Sequence, residues 1–248
     1  MRKAGNIAVL AVLMVFAVTC LGCNGNSSAS LQESPVTISA EEIKDSKNNL
    51  ELTLKLPVIE DMKDEKLQQN LNDRFQAPFK QRQKELVAER AEMEKEAAQN
   101  QFELNPFGLA SDYKVAYNNH GLLSLYIDQY EYTGGAHGMT YRTPYNIDLK
   151  DGPDIKLADV FKPGSNYKEA IDKAIQAEIA KNPEGYFEPE MGFQGIEDDQ
   201  PFTLQPGGIT IYFQLYDIAP YAFGIPEFDI PFTQFGDMVN PDLQKRLD

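Results

Sequence analysis

Residues 113–132 read YKVAYNNHGLLSLYIDQYEY, and this stretch gives the strongest indication of the fold. Apolar and polar side chains alternate on both sides of the central NNHG, as they do in half-buried strands. Asn and Gly between the two runs favour the backbone conformations of a tight turn. The stretch therefore predicts a hairpin of two antiparallel strands.

The sequence before this hairpin predicts two more strands and a long helix. Residues 50–58 alternate in the same way and are expected to pair with a strand over residues 36–43. Residues 64–99 change to a helical pattern, in which Pro78 is expected to kink or split the helix. The charge-dense part over residues 80–96 is predicted to be solvated. One buried stripe with a spacing of four residues is formed by Leu67, Leu71, Phe75 and Phe79.

The sequence after the hairpin predicts a second helix and a last group of strands. Ser165 or Asn166 is expected to cap the helix, and Pro183 is expected to stop it. Residues 184–208, rich in Gly and Pro, are predicted to form loops. The further strands are predicted over residues 141–149, 209–215 and 228–232.

Helices and strands are segregated along the chain, which predicts an α+β protein with antiparallel sheets. The long helix and the second helix are expected to pack on those sheets. A chain of 248 residues suits one large domain or two small ones. Two consecutive subdomains are predicted, over residues 36–150 and 151–240, followed by a tail over residues 241–248.

The first residues have the pattern of a secretory signal. Arg2 and Lys3 precede an apolar run over residues 7–18. This run is shorter than the roughly 20 apolar residues that a membrane-spanning helix needs. Residues 1–22 are therefore predicted to be a signal peptide, with an uncleaved anchor helix as an alternative.

Cys23 adds a more specific indication. Leu21-Gly22 before this cysteine resembles the bacterial lipoprotein signal, which implies cleavage before Cys23 and lipid attachment to its thiol. The following NGNSSASLQES is polar and composed mainly of small residues, so residues 23–35 are predicted to be a lipidated cysteine with a flexible tether. The alternative is an ordinary secretory signal with an incidental cysteine.

The charge balance limits the classes of partner. The chain has 23 basic and 38 acidic residues and a net charge of -15. Loss of Arg2 and Lys3 with the signal peptide would leave 21 basic residues and a net charge of -17. Nucleic acid is excluded as a partner, since phosphates are bound by Lys and Arg. A basic protein partner is compatible with this charge, although acidity can also serve solubility alone.

Three segments resemble the paired extracellular domains of the RsiV-like family. They are YNNHGLLSLYIDQYEYTGGAHG (117–138), LADVFKPGSNY (157–167) and YFQLYDIAPYAFGIPEFDIPF (212–232). This family includes the lysozyme-binding sensor region of an anti-sigma factor and the non-catalytic N-terminal region of the PdaC peptidoglycan deacetylase, and many members are lipoproteins. Only six residues precede the apolar run and sixteen follow the last segment, so the resemblance implies a stand-alone recognition module.

Two loops within these segments carry the candidate ligand-binding residues. The first contains TGGAHG, whose glycines indicate a turn with positive φ or close backbone approach. The second contains proline and aromatic residues, which give contact area at low entropic cost. Each loop could instead be a purely structural connection, with His137 as a packing residue. The candidates are Tyr132, Thr133, Gly134, Gly135, His137 and Gly138 in the first loop and Pro220, Tyr221, Gly224, Pro226 and Glu227 in the second.

The sequence gives little indication of catalysis. His120 and His137 are the two histidines, and no His/Asp cluster with metal-ligand spacing is present. His137 is expected to pair with Asp128 or Glu131, and no nucleophile elbow is found. A non-catalytic binding or sensing lipoprotein is therefore predicted, without cofactor or metal, anchored outside the cytoplasmic membrane. Its expected ligand is a lysozyme-like basic protein or a cell-wall glycan. An envelope hydrolase, an accessory to peptidoglycan modification and an assembly module with a membrane partner are the alternatives.

Overall fold

The computed structural model describes residues 34–47 and 49–248, which form one compact unit. The predicted signal peptide, the predicted lipid attachment at Cys23 and the predicted tether up to residue 33 lie outside the described residues. The strands are β1 (Thr37–Lys47), β2 (Leu50–Glu60), β3 (Phe107–Asn119), β4 (Leu122–Tyr132), β5 (Met139–Asp148), β6 (Phe202–Gln205), β7 (Gly208–Tyr212) and β8 (Glu227–Pro231). The α-helices are α1 (Glu65–Asn100), α2 (Tyr167–Ile179) and α3 (Pro241–Leu247).

The first sheet has five strands in the order β1-β2-β3-β4-β5. The predicted hairpin is confirmed: β3 and β4 are antiparallel, and His120 and Gly121 in their turn both have positive φ. β2 and β3 are parallel, with Leu50 opposite Phe107, which departs from the expected all-antiparallel pairing. The reason is α1, which lies between these strands and returns the chain to the end of the sheet where β2 began.

α1 packs on one face of this sheet and forms the first core. The side chain of Asp64 caps the helix by accepting a hydrogen bond from the Leu67 N–H at 2.9 Å. The helix continues through Pro78, so the expected split is wrong. Proline removes only one helical N–H, and buried Phe75 and Phe79 hold both sides of it against the sheet. Leu86 is also fully buried, so residues 80–96 are solvated on one side only.

The second sheet has the order β6-β7-β8 and forms the second core with α2 and α3. β6 lies in the stretch predicted to be loop, and β7 ends at Tyr212, earlier than the alternation indicated. Asn166 occupies the cap position of α2 without a side-chain cap hydrogen bond, and the buried Ser165 hydroxyl also makes none. Residues 241–248, predicted to be a tail, contain α3, whose Leu243 and Leu247 are buried. The α+β class and the arrangement in two subdomains are confirmed.

The second sheet docks through β6 onto the face of the first sheet opposite α1. Two buried polar side chains join them. The Ser124 hydroxyl donates to the Asn146 amide oxygen at 2.7 Å, and both oxygens accept from the Leu204 N–H of β6. The Asn146 amide also donates to the Phe202 carbonyl at 2.8 Å. This polar pairing joins the second sheet to the first. In the described residues, no helix has the length and apolar character needed to cross a membrane.

Candidate binding surface at the meeting of two loops

The glycine loop (residues 133–138) joins β4 to β5 and carries the first group of predicted site residues. Gly134 has a φ of +91°, in the region that favours glycine. A Cβ on Gly138 would stand 2.3 Å from the backbone oxygen of Glu131 and 2.4 Å from the ring of Tyr130. The loop therefore requires glycine at both positions, as its sequence predicts.

Contacts from β4 and from the segment that follows α1 hold the glycine loop in place. The Tyr132 hydroxyl donates to the Gly135 carbonyl at 2.9 Å, and the Asn105 amide donates to the Gly134 carbonyl at 3.3 Å. The Asn105 carbonyl in turn accepts a hydrogen bond from the buried guanidinium of Arg90. The conformation of the loop is thus set by α1 as well as by its own glycines.

The aromatic loop (residues 213–226) connects β7 to β8 and is rigid at its start. The Gln214 N–H donates to the Asp217 carboxylate at 2.7 Å, and the Asp217 N–H donates to the Gln214 carbonyl at 3.2 Å. Between them, Tyr216 has a φ of +70°, which is rare for so large a residue. Strain of this kind is found at functional sites. Pro220 then begins a short turn that carries Tyr221.

The two loops meet in the aromatic cluster, which consists of His137, Tyr216 and Tyr221. The His137 ring stacks on the Tyr221 ring at 4.3 Å, and the Tyr216 and Tyr221 rings are 5.8 Å apart. Nδ1 of His137 lies 2.9 Å from the Gly138 carbonyl, so this nitrogen carries the hydrogen. Nε2 lies 3.5 Å from the Tyr216 hydroxyl. Residues far apart in the sequence therefore form one surface.

This surface is open to solvent. Tyr216 is 46% exposed and Phe223, on the same turn as Tyr221, is 39% exposed. Tyr130, whose ring borders Gly138, is 38% exposed. Large aromatic side chains rarely remain exposed together without a role, because burying them is favourable. The cluster thus offers a preformed aromatic contact area.

A buried arginine on β5 connects the first sheet to the end of the aromatic loop. Arg142 binds the Asp128 carboxylate through two hydrogen bonds, at 2.7 and 2.9 Å, and it also binds Glu227 at the end of the aromatic loop. Its guanidinium lies 3.6 Å from the centre of the Tyr126 ring. Burial opposes the charge of Arg142, but the hydrogen bonds to Asp128 and Glu227 outweigh that effect and raise the pKa of the guanidinium.

The side-chain amide of Gln214 adds a second connection, because it pairs with the backbone of Arg142 on β5 as a neighbouring strand would. Its amide nitrogen donates to the Arg142 carbonyl at 2.8 Å, and its amide oxygen accepts from the Arg142 N–H at 3.0 Å. The Tyr212 hydroxyl donates to the same carbonyl at 3.3 Å, and burial raises the pKa of that hydroxyl. The start of the aromatic loop is thereby tied to the sheet that carries the glycine loop.

The expected pairing of His137 with a carboxylate is wrong. Asp128 is bound by Arg142, and Glu131 is bound by Arg82 from α1 at 2.8 Å. Arginine gives a carboxylate two parallel hydrogen bonds, which a single imidazole cannot match. In the part of the chain that the structure describes, neither His137 nor His120 is hydrogen-bonded to a carboxylate or a serine. No group of three or more metal-binding side chains is present among the described residues.

The structure brings His137 and Tyr221 together, and most of the other predicted site residues shape or hold the two loops that carry this pair. Thr133 is exposed in the glycine loop, while Pro226 is buried and its carbonyl accepts a hydrogen bond from the Phe213 N–H at 3.1 Å. Gly224 ends the turn that Pro220 begins, and Glu227 binds Arg142. The sequence analysis missed Tyr216, Arg142 and Gln214, which contact or support the cluster. An aromatic residue next to a turn-forming Asp was the available signal for Tyr216.

The chain matches two family models in tandem. The model described as Deacetylase PdaC covers residues 43–140, and the model described as Protein of unknown function (DUF3298) covers residues 158–233. The glycine loop thus lies within the first match and the aromatic loop within the second. The surface formed by the two loops joins the two domains.

Two curated proteins of Bacillus subtilis (strain 168) are similar to this chain. It is 23% identical to the anti-sigma-V factor RsiV over 238 residues, which cover 90% of this chain and 79% of RsiV. It is 25% identical to the peptidoglycan-N-acetylmuramic acid deacetylase PdaC over 117 residues, which cover 46% of this chain. The match spans 25% of the length of that deacetylase.

Two crystal structures share the fold. A member of the DUF3298 family from Bacteroides fragilis superimposes with a TM-score of 0.72 at 24% identity, over 87% of this chain and 98% of that one. A DUF3298 family protein from Pseudomonas aeruginosa PAO1 superimposes with a TM-score of 0.57 at 21% identity, over 85% and 96% of the two chains. Both similarities extend over the two sheets together.

Proposed function

This chain is an RsiV/PdaC-like paired-domain protein, and on that premise we propose that it is a non-catalytic recognition module of the cell envelope. It acts outside the cytoplasmic membrane, held there by a lipid on Cys23, and binds a basic protein of the lysozyme class. Its contact area is the aromatic cluster. The anti-sigma factor and the peptidoglycan deacetylase, by their names, belong to regulation and to wall chemistry, which makes an envelope module the natural common role.

The single observation that carries the proposal is the stacking of His137 on Tyr221 at 4.3 Å, next to the exposed ring of Tyr216. Two loops from different domains meet at this point, and the contacts of Arg142 with Glu227 and Gln214 tie the aromatic loop to the sheet that carries the glycine loop. A rigid aromatic surface loses little conformational entropy on binding a partner. Such a surface suits recognition of a folded protein.

Charge supports the choice of a basic partner. The net charge of the chain is -15. Near the aromatic cluster, Asp217 and Glu227 are exposed, while Arg142 is buried and paired with Asp128 and Glu227. An acidic surface attracts a basic protein and accelerates its association, and salt weakens this effect.

Calorimetric titration of the full-length chain in non-ionic detergent with lysozyme, at low and high salt, tests the proposal. We expect binding that weakens with salt, and we expect Tyr221→Ala to reduce the affinity at least tenfold, as truncation of an interface hot spot does. Tyr141→Ala is the matched control, because Tyr141 is 47% exposed and its β5 position points to the opposite face from Arg142. Equal losses for both variants, or no binding by the wild type, would contradict the proposal.

A wall glycan is the second candidate, because exposed tyrosine rings such as Tyr216 and Tyr130 can also stack on sugar rings. The same titration with peptidoglycan fragments separates the two candidates. Glycan binding that Tyr216→Ala removes, without lysozyme binding, would replace the first candidate with the second.

A further inference from the structure

An open apolar groove of about 490 Å³ lies beside the aromatic loop. It is formed by the last turn of α2 and the segment that follows it. Ile179, Tyr186, Phe187 and Phe193 supply most of its apolar wall. The Phe193 ring is fixed edge-on against buried Phe213 at 5.6 Å, so one wall of the groove rests on the second core. Its rigid walls suit the insertion of a side chain.

The groove is continuous with the proposed recognition surface. Phe223, on the same short turn as Tyr221, has its ring 4.8 Å from the ring of Tyr186, which lines the groove. The Phe187 N–H donates to the Ile218 carbonyl of the aromatic loop at 3.0 Å. A partner seated on Tyr221 would therefore extend over Phe223 into the groove.

The groove is acidic at its rim. Glu184 and Glu188 line it and are exposed. Among the described residues, neither carboxylate is in an ion pair, and no lysine or arginine lines the groove. Some other surface carboxylates near α2 do have a lysine partner, as Glu169 does with Lys173 at 2.5 Å. Two uncompensated carboxylates beside apolar walls are complementary to an apolar side chain flanked by cationic ones.

We propose that this groove is the second half of the docking surface and takes an apolar side chain from a basic protein, whose flanking Lys or Arg side chains bind Glu184 and Glu188. This inference rests on the proposed function, because the groove would bind the same basic protein that binds the aromatic cluster. The groove would then bind one anchoring side chain next to the aromatic cluster, and in interfaces of this kind a few such residues supply most of the binding energy.

The test fills the groove without touching the aromatic cluster. Ala180→Tyr places a ring in it from an exposed, helical position at the end of α2. Ala177→Tyr is the matched control, because Ala177 is exposed on the same helix but lines a different surface. With lysozyme as the probe and the full-length chain in detergent, we expect about a tenfold loss of affinity for Ala180→Tyr and less than about a twofold loss for Ala177→Tyr.

The contribution of the two carboxylates is tested by the double variant Glu184→Gln/Glu188→Gln, with Glu51→Gln, at an exposed position of β2, as its control. The double variant is expected to weaken binding about fivefold at low salt, with a smaller loss at high salt. If Tyr221→Ala weakens binding but Ala180→Tyr and the double variant do not, the groove is not part of the interface and only this inference is overturned. If the wild type does not bind, the proposed function and this inference are overturned together.

Discussion

At the scale of single residues, the glycine loop shows how a missing Cβ positions an aromatic ring. Gly138 sits under Tyr130 and against the Glu131 carbonyl, so any larger residue there must push the end of the β4–β5 hairpin apart. His137 precedes it, and its Nδ1 is bound to the Gly138 carbonyl itself. The orientation of the imidazole toward Tyr221 therefore depends on the backbone at Gly138.

Gly138→Ala is expected to lower the free energy of unfolding by about 1–3 kcal/mol, because the new methyl group would overlap backbone as well as a ring. It should also weaken partner binding, since His137 would move with the shifted hairpin. Gly135→Ala is the control: its Cβ would meet nothing closer than 4.0 Å, so its cost should stay within about 0.5 kcal/mol. Urea unfolding of both variants measures the difference. Equal stability of the two would contradict the argument.

Some residues of the site could be predicted from the sequence and others could not, for a physical reason. His137 and Gly138 stand in a run whose composition alone indicates a turn, and Tyr221 follows a proline that limits the backbone. Arg142 carries no such local signal. Its importance comes from Asp128 and Glu227, which reach it from 14 and 85 residues away. These contacts become visible only when β4, β5 and β8 are brought together in the folded structure.

At the scale of elements, α1 shows packing overriding a local preference. Pro78 lies inside a helix that continues on both sides of it. The intrinsic cost of proline in a helix interior is about 3 kcal/mol relative to alanine. The helix is held nevertheless, because its stripe of Leu71, Phe75, Phe79 and Leu86 is buried against the first sheet. Tertiary burial supplies most of the stability of such a helix.

Pro78→Ala is accordingly expected to raise the free energy of unfolding by about 1–3 kcal/mol, because it restores a helical N–H and removes the ring from the preceding turn. Pro106→Ala, in the exposed segment just before β3, removes a proline outside any helix and should give no such gain. Thermal unfolding compares the two. A lower melting temperature for Pro78→Ala would mean that the proline shapes α1 to fit the sheet.

The strands differ in how well their sequences predict them. β2 alternates between buried and exposed side chains over most of its length and was predicted from that pattern. β6 has only four residues, and Phe202, Thr203 and Leu204 are all buried, so no alternation exists to detect. Its two faces are covered because it lies between the first sheet and the second core. Burial on both sides removes the periodic signal of a strand.

At the scale of the whole molecule, the C-terminal helix ties the second domain back to the first. Leu243 and Leu247 of α3 are buried in the second core. Arg246 of the same helix binds Asp148 at the end of β5 at 2.7 Å and donates to the carbonyls of His120 and Gly121 in the β3–β4 turn. One helix therefore contacts the second core and the tip of the first sheet, and the separation of the two domains would break the contacts that Arg246 makes with the first sheet.

The Asp148–Arg246 pair makes this connection sensitive to acid. Burial alone would raise the pKa of Asp148, but the hydrogen bond from Arg246 outweighs it and lowers the pKa below the ordinary value of 3.8. A carboxyl whose pKa is lower in the folded state stabilises the fold above its unfolded pKa and loses that contribution as the pH falls through the folded pKa. The connection should therefore be intact at neutral pH and weaken only in strong acid.

Asp148→Asn tests this connection through the pH dependence of stability. We expect the wild type to exceed the variant by about 1.5–3 kcal/mol in unfolding free energy at pH 7, the contribution of a hydrogen bond to a charged group. The difference should hold down to about pH 5 and shrink below about pH 4, as Asp148 takes up its proton. Asp151→Asn, on an exposed neighbour, should show no such change. A difference between wild type and Asp148→Asn that stays constant down to about pH 3 would mean that the carboxylate charge does not hold α3 to the first sheet, and that the hydrogen bonds from Arg246 to the carbonyls of His120 and Gly121 hold it there.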